Sequence, residues 1–452
     1  MDISGIEKYS VKYAILHKYI KFAHDKIFYK EVVYRGLENI PTDKPVLFAP
    51  NHQNALMDAF AIIFAGNPQT VFLARSDIFA SPTIAKLLIF FKILPVYRIR
   101  DGKEKLQFNE EIFVKVVDIL NQNKRVTIFP EAQHIDKRHL RQVKKGIQRV
   151  SFMFGEQTEY KEDVMIVPVG IYYSNYWNFR STLQVRYGKP ISAAKYYEQS
   201  KQNLQKAILA LGEEMQEKIQ EQIVHISNLE TYDTYEAVRE IFDVPMMKRF
   251  KLNDFGQDNK FIADKHTIRI TEKFAAESPE NFAEFSKDVA DYTSFLSKEK
   301  LKDHVLEKSY SGMETLLRVL LIIAGLPIFL AGAINSIIPY NLPKLITNKL
   351  KDRQFVSSIN FGMGLFAFPI FFALQTIPFC LLFDSWYYPV SYFVASPFLS
   401  MISFGYSRIF VKLRSQLKFK FKSKTPEYIS MQNLRKKIVG KLNELADGES
   451  IN

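Results

Sequence analysis

The sequence is poor in cysteine, with one residue, Cys380, among 452. This single thiol excludes an intramolecular disulfide bond and any metal or iron–sulfur site built from several cysteines. The opening residues lack the basic segment followed by an apolar run that marks a secretory leader, so we expect none. An apolar share of 47% and a charged share of 24% exclude a disordered or collagen-like chain, and the length predicts two or three domains.

Charge is missing from three long stretches near the C-terminus, which are residues 319–343, 354–383 and 385–407. About 20 apolar residues cross the hydrocarbon core of a bilayer, and buried core helices rarely contain more than about 14. We therefore expect a membrane region over 311–411, in which the second and third stretches span at about 356–383 and 386–407.

The first stretch differs from the other two because Gly325, Pro327, Gly332 and Pro339 interrupt its helical pattern. Non-helical backbone is tolerated inside a membrane only where protein or water forms hydrogen bonds with its N–H and C=O groups. If residues 319–343 crossed the membrane, everything before them would lie outside the cell. We expect a re-entrant or interfacial element at 319–343 in preference to a spanning helix.

Basic residues follow the first and the last of these stretches. The loop Lys344–Arg353 carries four lysines and arginines, and residues 408–441 carry 11 against one acid, Glu427. Positive flanks predict the cytoplasmic side, so we expect an integral cell-membrane protein whose N-terminal part is cytoplasmic. The tail either attracts anionic lipid head groups, at about 1 kcal/mol per residue, or serves only as a topological signal. Its position beside a span argues against a nucleic-acid partner.

Residues 30–190 alternate short apolar runs with helical patterns, and this alternation predicts an α/β domain with a sheet flanked by helices. The candidate strands are Glu31–Arg35, Val46–Ala49, Thr70–Ala74, Val126–Phe129, Met165–Gly170 and Leu183–Tyr187. From about residue 200, apolar residues recur at helical steps of three and four. The predicted divisions are an N-terminal amphipathic helix at 1–29, the α/β domain at 30–199, a helical segment at 200–310, the membrane region, and a basic cytoplasmic tail at 412–452.

A histidine and an aspartate follow the second candidate strand, at His52 and Asp58. On one helix, positions six apart differ by about 240°, so the two side chains could not meet. They meet if His52 lies in the turn after the strand and Asp58 lies in the first turns of the next helix. Asp58 would then accept from one imidazole nitrogen and leave the other as a base near neutral pH.

Further polar residues follow other apolar runs. Arg98 and Arg100 come after Ile93–Val96, and Glu131 comes after Val126–Phe129. In open α/β sheets, ligands bind at the carboxyl ends of strands, where these residues would lie. Arginine binds phosphate through two hydrogen bonds, so the pattern favours an anionic substrate.

Taken in order, these motifs resemble those of the phospholipid/glycerol acyltransferase family over about residues 30–195. The family's His-x4-Asp motif is similar to His52–Asp58, its arginine-bearing motif to Pro95–Arg98, its Phe-Pro-Glu-Gly motif to Phe129–Ala132, and its apolar-proline motif to Val167–Pro168. The segments Lys144–Gly146 and Tyr187–Ile191 are also similar to family context.

Two departures from the family pattern affect the expected substrate. Five residues, not four, separate His52 from Asp58, which resembles the branch of fungal glycerol-3-phosphate acyltransferases and points to glycerol 3-phosphate as acceptor. Ala132 and His134 stand where the family has glycine and arginine. Basic residues that could compensate are Arg138, Arg141, Lys144 and Lys145.

The resemblance implies an acyltransferase of phospholipid biosynthesis that uses no metal, no cofactor and no acyl-enzyme. His52 would deprotonate the acceptor hydroxyl as it attacks the thioester of acyl-CoA or acyl-carrier protein, and Asp58 would stabilise the imidazolium. Arg98 and Glu131, with Arg100 and Lys145, would bind the glycerol phosphate. Two alternatives remain open: acylation of 1-acylglycerol 3-phosphate, and a non-enzymatic membrane protein that binds lipid.

Overall fold

The chain folds into two units in the computed structural model, which describes residues 3–65, 69–98, 102–133, 135–252, 256–307 and 311–447. Unit 1 contains the chain up to His225 together with Asp352–Ser358. Unit 2 contains Ile226–Lys351 and the chain from Ile359 onward.

Unit 1 is built on a mixed sheet of eight strands within the described residues. The strands are β1 Glu31–Arg35, β2 Val46–Pro50, β3 Val71–Arg75, β4 Ile93–Val96, β5 Arg125–Thr127, β6 Met165–Tyr173, β7 Thr182–Tyr187 and β8 Ile191–Ser192. Their order is β1-β7-β6-β2-β5-β3-β4, and β8 pairs with β6. Strands β6, β2, β5, β3 and β4 run parallel, so their carboxyl ends share one edge of the sheet.

Helices flank this sheet, as the alternating pattern predicts. They are α1 Val11–Phe22, α2 Leu56–Ile63, α3 Pro82–Phe90, α4 Phe108–Leu120, α5 Gly146–Gln157, α6 Tyr197–Gln202 and α7 Leu204–Glu221. All five residues of β2 are buried, as expected for a strand covered on both faces. The apolar stripe of α7 lies in the same core as the central strands, where Leu211 and Met215 are fully buried with Leu47 and Ile166.

The predicted α/β class is confirmed, and its six candidate strands are present with shifts of a few residues at their ends. Strands β4 and β8 were not predicted, because runs of four and two residues carry little periodicity. The boundary expected at residue 199 is wrong: α7 belongs to unit 1, because its apolar face packs on the sheet. The expected N-terminal helix is α1, continued by a π-helical turn over Ala23–Phe28.

Unit 2 is helical. Its helices, with α14 beginning inside unit 1, are α8 Tyr232–Arg249, α9 Gln257–Glu277, α10 Pro279–Glu299, α11 His304–Glu307, α12 Gly312–Asn341, α13 Lys344–Thr347, α14 Val356–Gln375, α15 Ile377–Leu382, α16 Tyr387–Lys422 and α17 Pro426–Leu445. In the part of the chain that the structure describes, three stretches are long and apolar enough to cross a membrane: Gly312–Asn341, Arg353–Leu382 and Tyr387–Lys422.

Helix α12 is continuous, contrary to the predicted interruption of 319–343. Its 30 residues remain helical through Pro327 and Pro339 and measure about 45 Å. A Cβ on Gly332 would lie 2.1 Å from the carbonyl oxygen of Leu399, so this glycine permits close packing of α12 on α16. The glycines and prolines therefore do not break the helix, and the carbonyl of Asn335, which loses its helical donor at Pro339, accepts from Gln375 Nε2 at 3.4 Å.

The predicted tail also differs from the structure. Helix α16 continues to Lys422, well beyond the span end expected at 407. Lys418 lies 2.9 Å from a carboxylate oxygen of Glu299, and Arg435 forms two hydrogen bonds with Asp303. Part of the basic charge that would attract lipid is therefore neutralised inside unit 2.

The turn after β5 contains a strained alanine. The N–H of Ala132 donates to the carbonyl of Phe129 at 3.2 Å, and Ala132 has a φ of 55°, in the left-handed region. Only glycine adopts this region without a steric penalty from Cβ. The glycine that the family motif carries here thus matches the backbone of this turn.

We predict that Ala132→Gly stabilises unit 1 by about 0.5–1 kcal/mol, because it removes this steric penalty. Thermal unfolding of the detergent-solubilised protein measures the change. The matched control is Ala80→Gly, at another exposed alanine whose φ is −60°. Glycine should give no gain there, and equal gains at both positions would contradict the interpretation.

Candidate active site

The turn that joins β2 to α2 carries the predicted histidine and aspartate. We call residues Asn51–Asp58 the β2–α2 turn; it lies at the carboxyl edge of the parallel strands. The His52 Nδ1 atom lies 2.8 Å from Oδ2 of Asp58, so the predicted pair is in contact. His52 is in the turn and Asp58 is in the first turn of α2, as the six-residue separation requires.

Asp58 is fully buried and accepts hydrogen bonds from four groups. Its Oδ2 atom receives His52 Nδ1 at 2.8 Å and the backbone N–H groups of Gln53 at 2.7 Å and Asn54 at 2.6 Å, and its Oδ1 atom receives the Tyr173 hydroxyl at 2.8 Å. Backbone N–H groups can only donate, so Oδ2 acts as an acceptor. The proton of the His52 ring therefore lies on Nδ1, and Nε2 carries the basic lone pair.

A tight turn absorbs the long spacing between the two residues. The N–H of Met57 donates to the carbonyl of Asn54 at 3.0 Å, and Ala55 between them has φ 45° and ψ −122°. These angles are close to the first central position of a type II′ turn, which favours glycine. The chain reverses there, and the strain at Ala55 is the cost of facing Asp58 toward His52.

Neighbouring strands hold the rest of the turn. Asn51 continues the pairing of β2 with β6: its Oδ1 accepts from Ile171 N at 2.6 Å, and its Nδ2 donates to Ile171 O at 3.2 Å. The His52 ring stacks on the ring of Phe129, with a centroid separation of 4.2 Å. The first and third sequence motifs therefore meet at one point.

Glu131 stabilises the contact between the His52 turn and the turn after β5 through hydrogen bonds to the backbone. It is buried, and its two carboxylate oxygens accept from the backbone N–H groups of His52 at 2.6 Å and Arg141 at 2.8 Å. Burial raises the pKa of Glu131 to about 8, while the two N–H donors act in the opposite direction. Both carboxylate oxygens therefore accept from the protein backbone.

Two tyrosines from the end of β6 and the loop after it complete the support. Tyr173 donates to Asp58, and the Tyr176 hydroxyl donates to Oε1 of Gln53 at 2.7 Å. The carbonyl of Tyr176 accepts from Asn54 Nδ2 at 3.1 Å. Both tyrosines are buried. The sequence analysis missed them, because nothing in the sequence shows that the loop after β6 reaches the β2–α2 turn.

Arg98 lies at the same edge of the sheet, after β4. Its Nη2 atom is 3.1 Å from Oδ2 of Asp77, which also pairs with Arg75 at the end of β3. Arg75, followed by Arg98, lowers the pKa of Asp77 to about 2. Strands β2 and β4 are three places apart, or about 14 Å. The Arg75–Asp77–Arg98 cluster carries one net positive charge, and Arg75 is a residue that sequence reasoning missed.

The other basic candidates are distributed differently. Arg100 and His134 lie outside the described residues. Lys145 is exposed, and its Nζ atom lies 3.5 Å from Oε1 of Gln205 on α7. Arg138 is buried, donates to the carbonyl of Tyr173 at 2.8 Å and lies 4.8 Å from the centre of the Tyr172 ring. Arg138 thus supports the end of β6.

A metal centre is absent from the described ranges, in which no group of three or more His, Cys, Asp and Glu side chains could hold an ion. The exposed fraction of the His52 side chain is 17%, so part of the side chain is accessible to solutes.

Comparison with known proteins gives matches of three kinds: to a family model, to a protein sequence and to a solved structure. Residues 31–172 match the family model described as Acyltransferase. Glycerol-3-phosphate O-acyltransferase 1 of Saccharomyces cerevisiae is 24% identical over 204 residues, which are 44% of this chain and 25% of the yeast protein. The chain therefore matches about a quarter of the length of that relative.

A solved structure is also similar, that of the 1-acyl-sn-glycerophosphate (LPA) acyltransferase PlsC from Thermotoga maritima. The identity is 19% and the TM-score 0.33, with 46% of this chain and 79% of that chain covered.

The matched region 31–172 contains β1 through most of β6, and with them the His52–Asp58 pair, Arg98 and Glu131. The likeness to the acyltransferase family therefore covers residues 31–172 of this chain.

Proposed function

We propose that the chain transfers a fatty acyl group from a thioester donor, acyl-CoA or acyl-carrier protein, to a hydroxyl of glycerol 3-phosphate. The observation that carries this proposal is the hydrogen bond between His52 Nδ1 and the buried Asp58 carboxylate. It leaves Nε2 as a base at the open edge of the sheet, which is what the deprotonation of an alcohol requires.

The reaction balances without any further reactant. Nε2 of His52 takes the hydroxyl proton as the oxygen attacks the thioester carbonyl, which forms a tetrahedral intermediate. When the intermediate collapses, the carbon–sulfur bond breaks, and the imidazolium returns the proton to the leaving thiolate. Asp58 stabilises the imidazolium because its carboxylate already accepts the Nδ1 proton.

The acceptor phosphate would bind at the cationic part of the same edge. The Arg75–Asp77–Arg98 cluster lies there, and an arginine fork matches the geometry of a phosphate. Arg100 follows Arg98 in the sequence and belongs to the same proposal, as does Lys145. For Glu131 we propose a positioning role through the backbone of His52, in place of the substrate contact that the resemblance implies.

Glycerol 3-phosphate is the preferred acceptor for two reasons. The spacing of five residues between His52 and Asp58 resembles the fungal branch, and the yeast relative bears the name of a glycerol-3-phosphate O-acyltransferase. Lysophosphatidate presents the same phosphate and a free hydroxyl, so it is the other outcome of the test.

We also propose a membrane location with the catalytic domain on the cytoplasmic side. In the described chain, Arg353–Leu382 and Tyr387–Lys422 are each apolar enough to cross a bilayer, and basic residues flank this pair at its beginning and at its end. A catalyst held at the membrane has direct access to acyl chains that partition into lipid.

The direct test is an acyl-transfer assay on the purified full chain in lipid vesicles. Radiolabelled glycerol 3-phosphate and lysophosphatidate are compared, each with acyl-CoA and with acyl-carrier protein as donor. We expect ester formation on glycerol 3-phosphate. If only lysophosphatidate gives product, lysophosphatidate is the acceptor instead of glycerol 3-phosphate. The absence of product from every pair of donor and acceptor would overturn the proposal.

His52→Ala should lower the turnover by about 10²–10⁴-fold, since it removes the general base. Asp58→Asn should lower it as well, because an amide nitrogen cannot accept the bonds that now end on the carboxylate. His266→Ala in α9 is the matched control for loss of a histidine and should leave turnover unchanged. Unchanged turnover in His52→Ala would exclude the mechanism.

The raised pKa of Glu131 predicts a pH-dependent stability. The folded chain holds a proton on this carboxyl up to about pH 8, whereas the unfolded chain releases it near 4.5, so stability decreases as the pH rises between these values. The glutamine in Glu131→Gln cannot ionise, so this variant does not undergo the decrease in stability. The melting temperature of Glu131→Gln relative to the native chain should therefore rise from pH 5 to pH 8.

The matched control for this series is Glu156→Gln, at an exposed glutamate of α5. Its melting temperature should follow that of the native chain at every pH. A constant difference between Glu131→Gln and the native chain across the range would show that Glu131 is ionised throughout.

A further inference from the structure

A short segment far away in sequence contacts the β2–α2 turn. Residues Arg353–Ser358 belong to unit 1, although more than 120 residues separate them from His225, where the rest of unit 1 ends. They also form the beginning of the apolar stretch Arg353–Leu382. We call Arg353–Ser358 the anchor segment. The start of a candidate membrane helix is therefore a structural part of the α/β unit.

Ser358 caps the helix that carries Asp58. The first N–H groups of an α-helix have no partner inside the helix, and Ala55, at the N-cap of α2, offers no side-chain acceptor. The N–H of Leu56 instead donates to Oγ of Ser358 at 3.1 Å. A side-chain oxygen at this position stabilises a helix start, and here it comes from a distant part of the chain.

Ser357 holds the other side of the turn. It is fully buried, and its hydroxyl donates to the carbonyl of Tyr176. The same carbonyl accepts from Asn54 Nδ2, and the Tyr176 hydroxyl donates to Gln53. Through Tyr176, Ser357 is thus connected to Gln53 and Asn54. The backbone N–H groups of these two residues bind Asp58.

Arg353 and Trp177 give the contact an interfacial character. The guanidinium of Arg353 lies 4.1 Å from the centre of the Trp177 ring, within cation–π range. Tryptophan and arginine are favoured at the boundary between lipid and water. Leu56, next to the cap, is 42% exposed, so an apolar side chain of the turn also lies at the surface.

We infer that the anchor segment is a positioning element of the active site, which fixes the β2–α2 turn to the end of a membrane helix. The role rests on the proposed acyl transfer, because it places the His52 base where acyl chains leave the bilayer. Ser358 acts on the reaction through α2 and Asp58, and it touches no reacting atom.

The contact also constrains the path of the chain through the membrane. The anchor segment can bind unit 1 only if the loop Lys344–Arg353 and unit 1 lie on the same side of the bilayer.

Ser358→Ala tests the positioning role. It should lower kcat by roughly three- to tenfold with little change in KM for either substrate, since the turn loses one hydrogen bond but no substrate contact. Ser358→Thr retains the hydroxyl and should restore the rate. The matched control is Ser311→Ala, which removes a serine that caps the apolar helix α12 through Glu314 N; kcat should not change.

Amide hydrogen exchange provides a readout that needs no activity. In Ser358→Ala, exchange at Leu56 should accelerate roughly fivefold, whereas Ser311→Ala should leave it unchanged. If the native chain shows no acyl transfer but Leu56 responds in this way, the proposed function fails and the anchor stands. Unchanged exchange and unchanged kcat in Ser358→Ala would overturn the inference.

Cysteine labelling in sealed vesicles tests whether the loop Lys344–Arg353 and unit 1 lie on the same side of the membrane. Replacing the single cysteine by Cys380→Ser allows Lys351→Cys and Glu156→Cys to be introduced one at a time. A membrane-impermeant maleimide should label both from the same side, with labelling in detergent as the control for reactivity. Labelling from opposite sides would exclude the anchor contact in the membrane.

Discussion

The arrangement of the site depends on one buried carboxylate. Asp58 accepts four hydrogen bonds, three of them on one oxygen, and no water can replace these donors in a fully buried place. The two backbone N–H groups hold the β2–α2 turn around the carboxylate. The hydrogen bond between the carboxylate and the imidazole sets the tautomer of His52. Removing the carboxylate would leave several buried donors unpaired, at roughly 1–3 kcal/mol each. The Asp58 carboxylate therefore determines both the conformation of the β2–α2 turn and the proposed chemistry of His52.

The sheet supplies everything that holds this carboxylate in place. Asn51 extends the β2–β6 pairing, Tyr173 reaches Asp58 from the end of β6, and Glu131 reaches the His52 backbone from the turn after β5. Parallel strands bring these residues to one edge, which is where open α/β sheets bind ligands. Ser358 adds a support from the start of an apolar helix. The proposed base is thus fixed both by the sheet and by a segment that leads into the membrane region.

The sequence permits prediction of the α/β class, the His52–Asp58 contact and the meeting of the first and third motifs, because each depends on local periodicity and on the shared edge of parallel strands. It does not reveal Tyr173, Tyr176 or Ser358, whose contacts arise from the way loops far apart in sequence pack together. Pattern alone also misplaces the end of unit 1, since the stripe of α7 fits a helical segment as well as a sheet layer. The interruption predicted in 319–343 fails because helix α12 accommodates its prolines and lets Gly332 pack closely on α16.

The central claim is that Asp58 holds His52 in the form that carries its proton on Nδ1. Nitrogen-15 NMR of the histidine side chains measures this directly in the full chain, which contains eight histidines, with His52→Gln to assign the signal. For the neutral ring, the account predicts a protonated Nδ1 and an unprotonated Nε2, with this preference lost in Asp58→Asn. A neutral His52 ring with its proton on Nε2 in the native chain would contradict it.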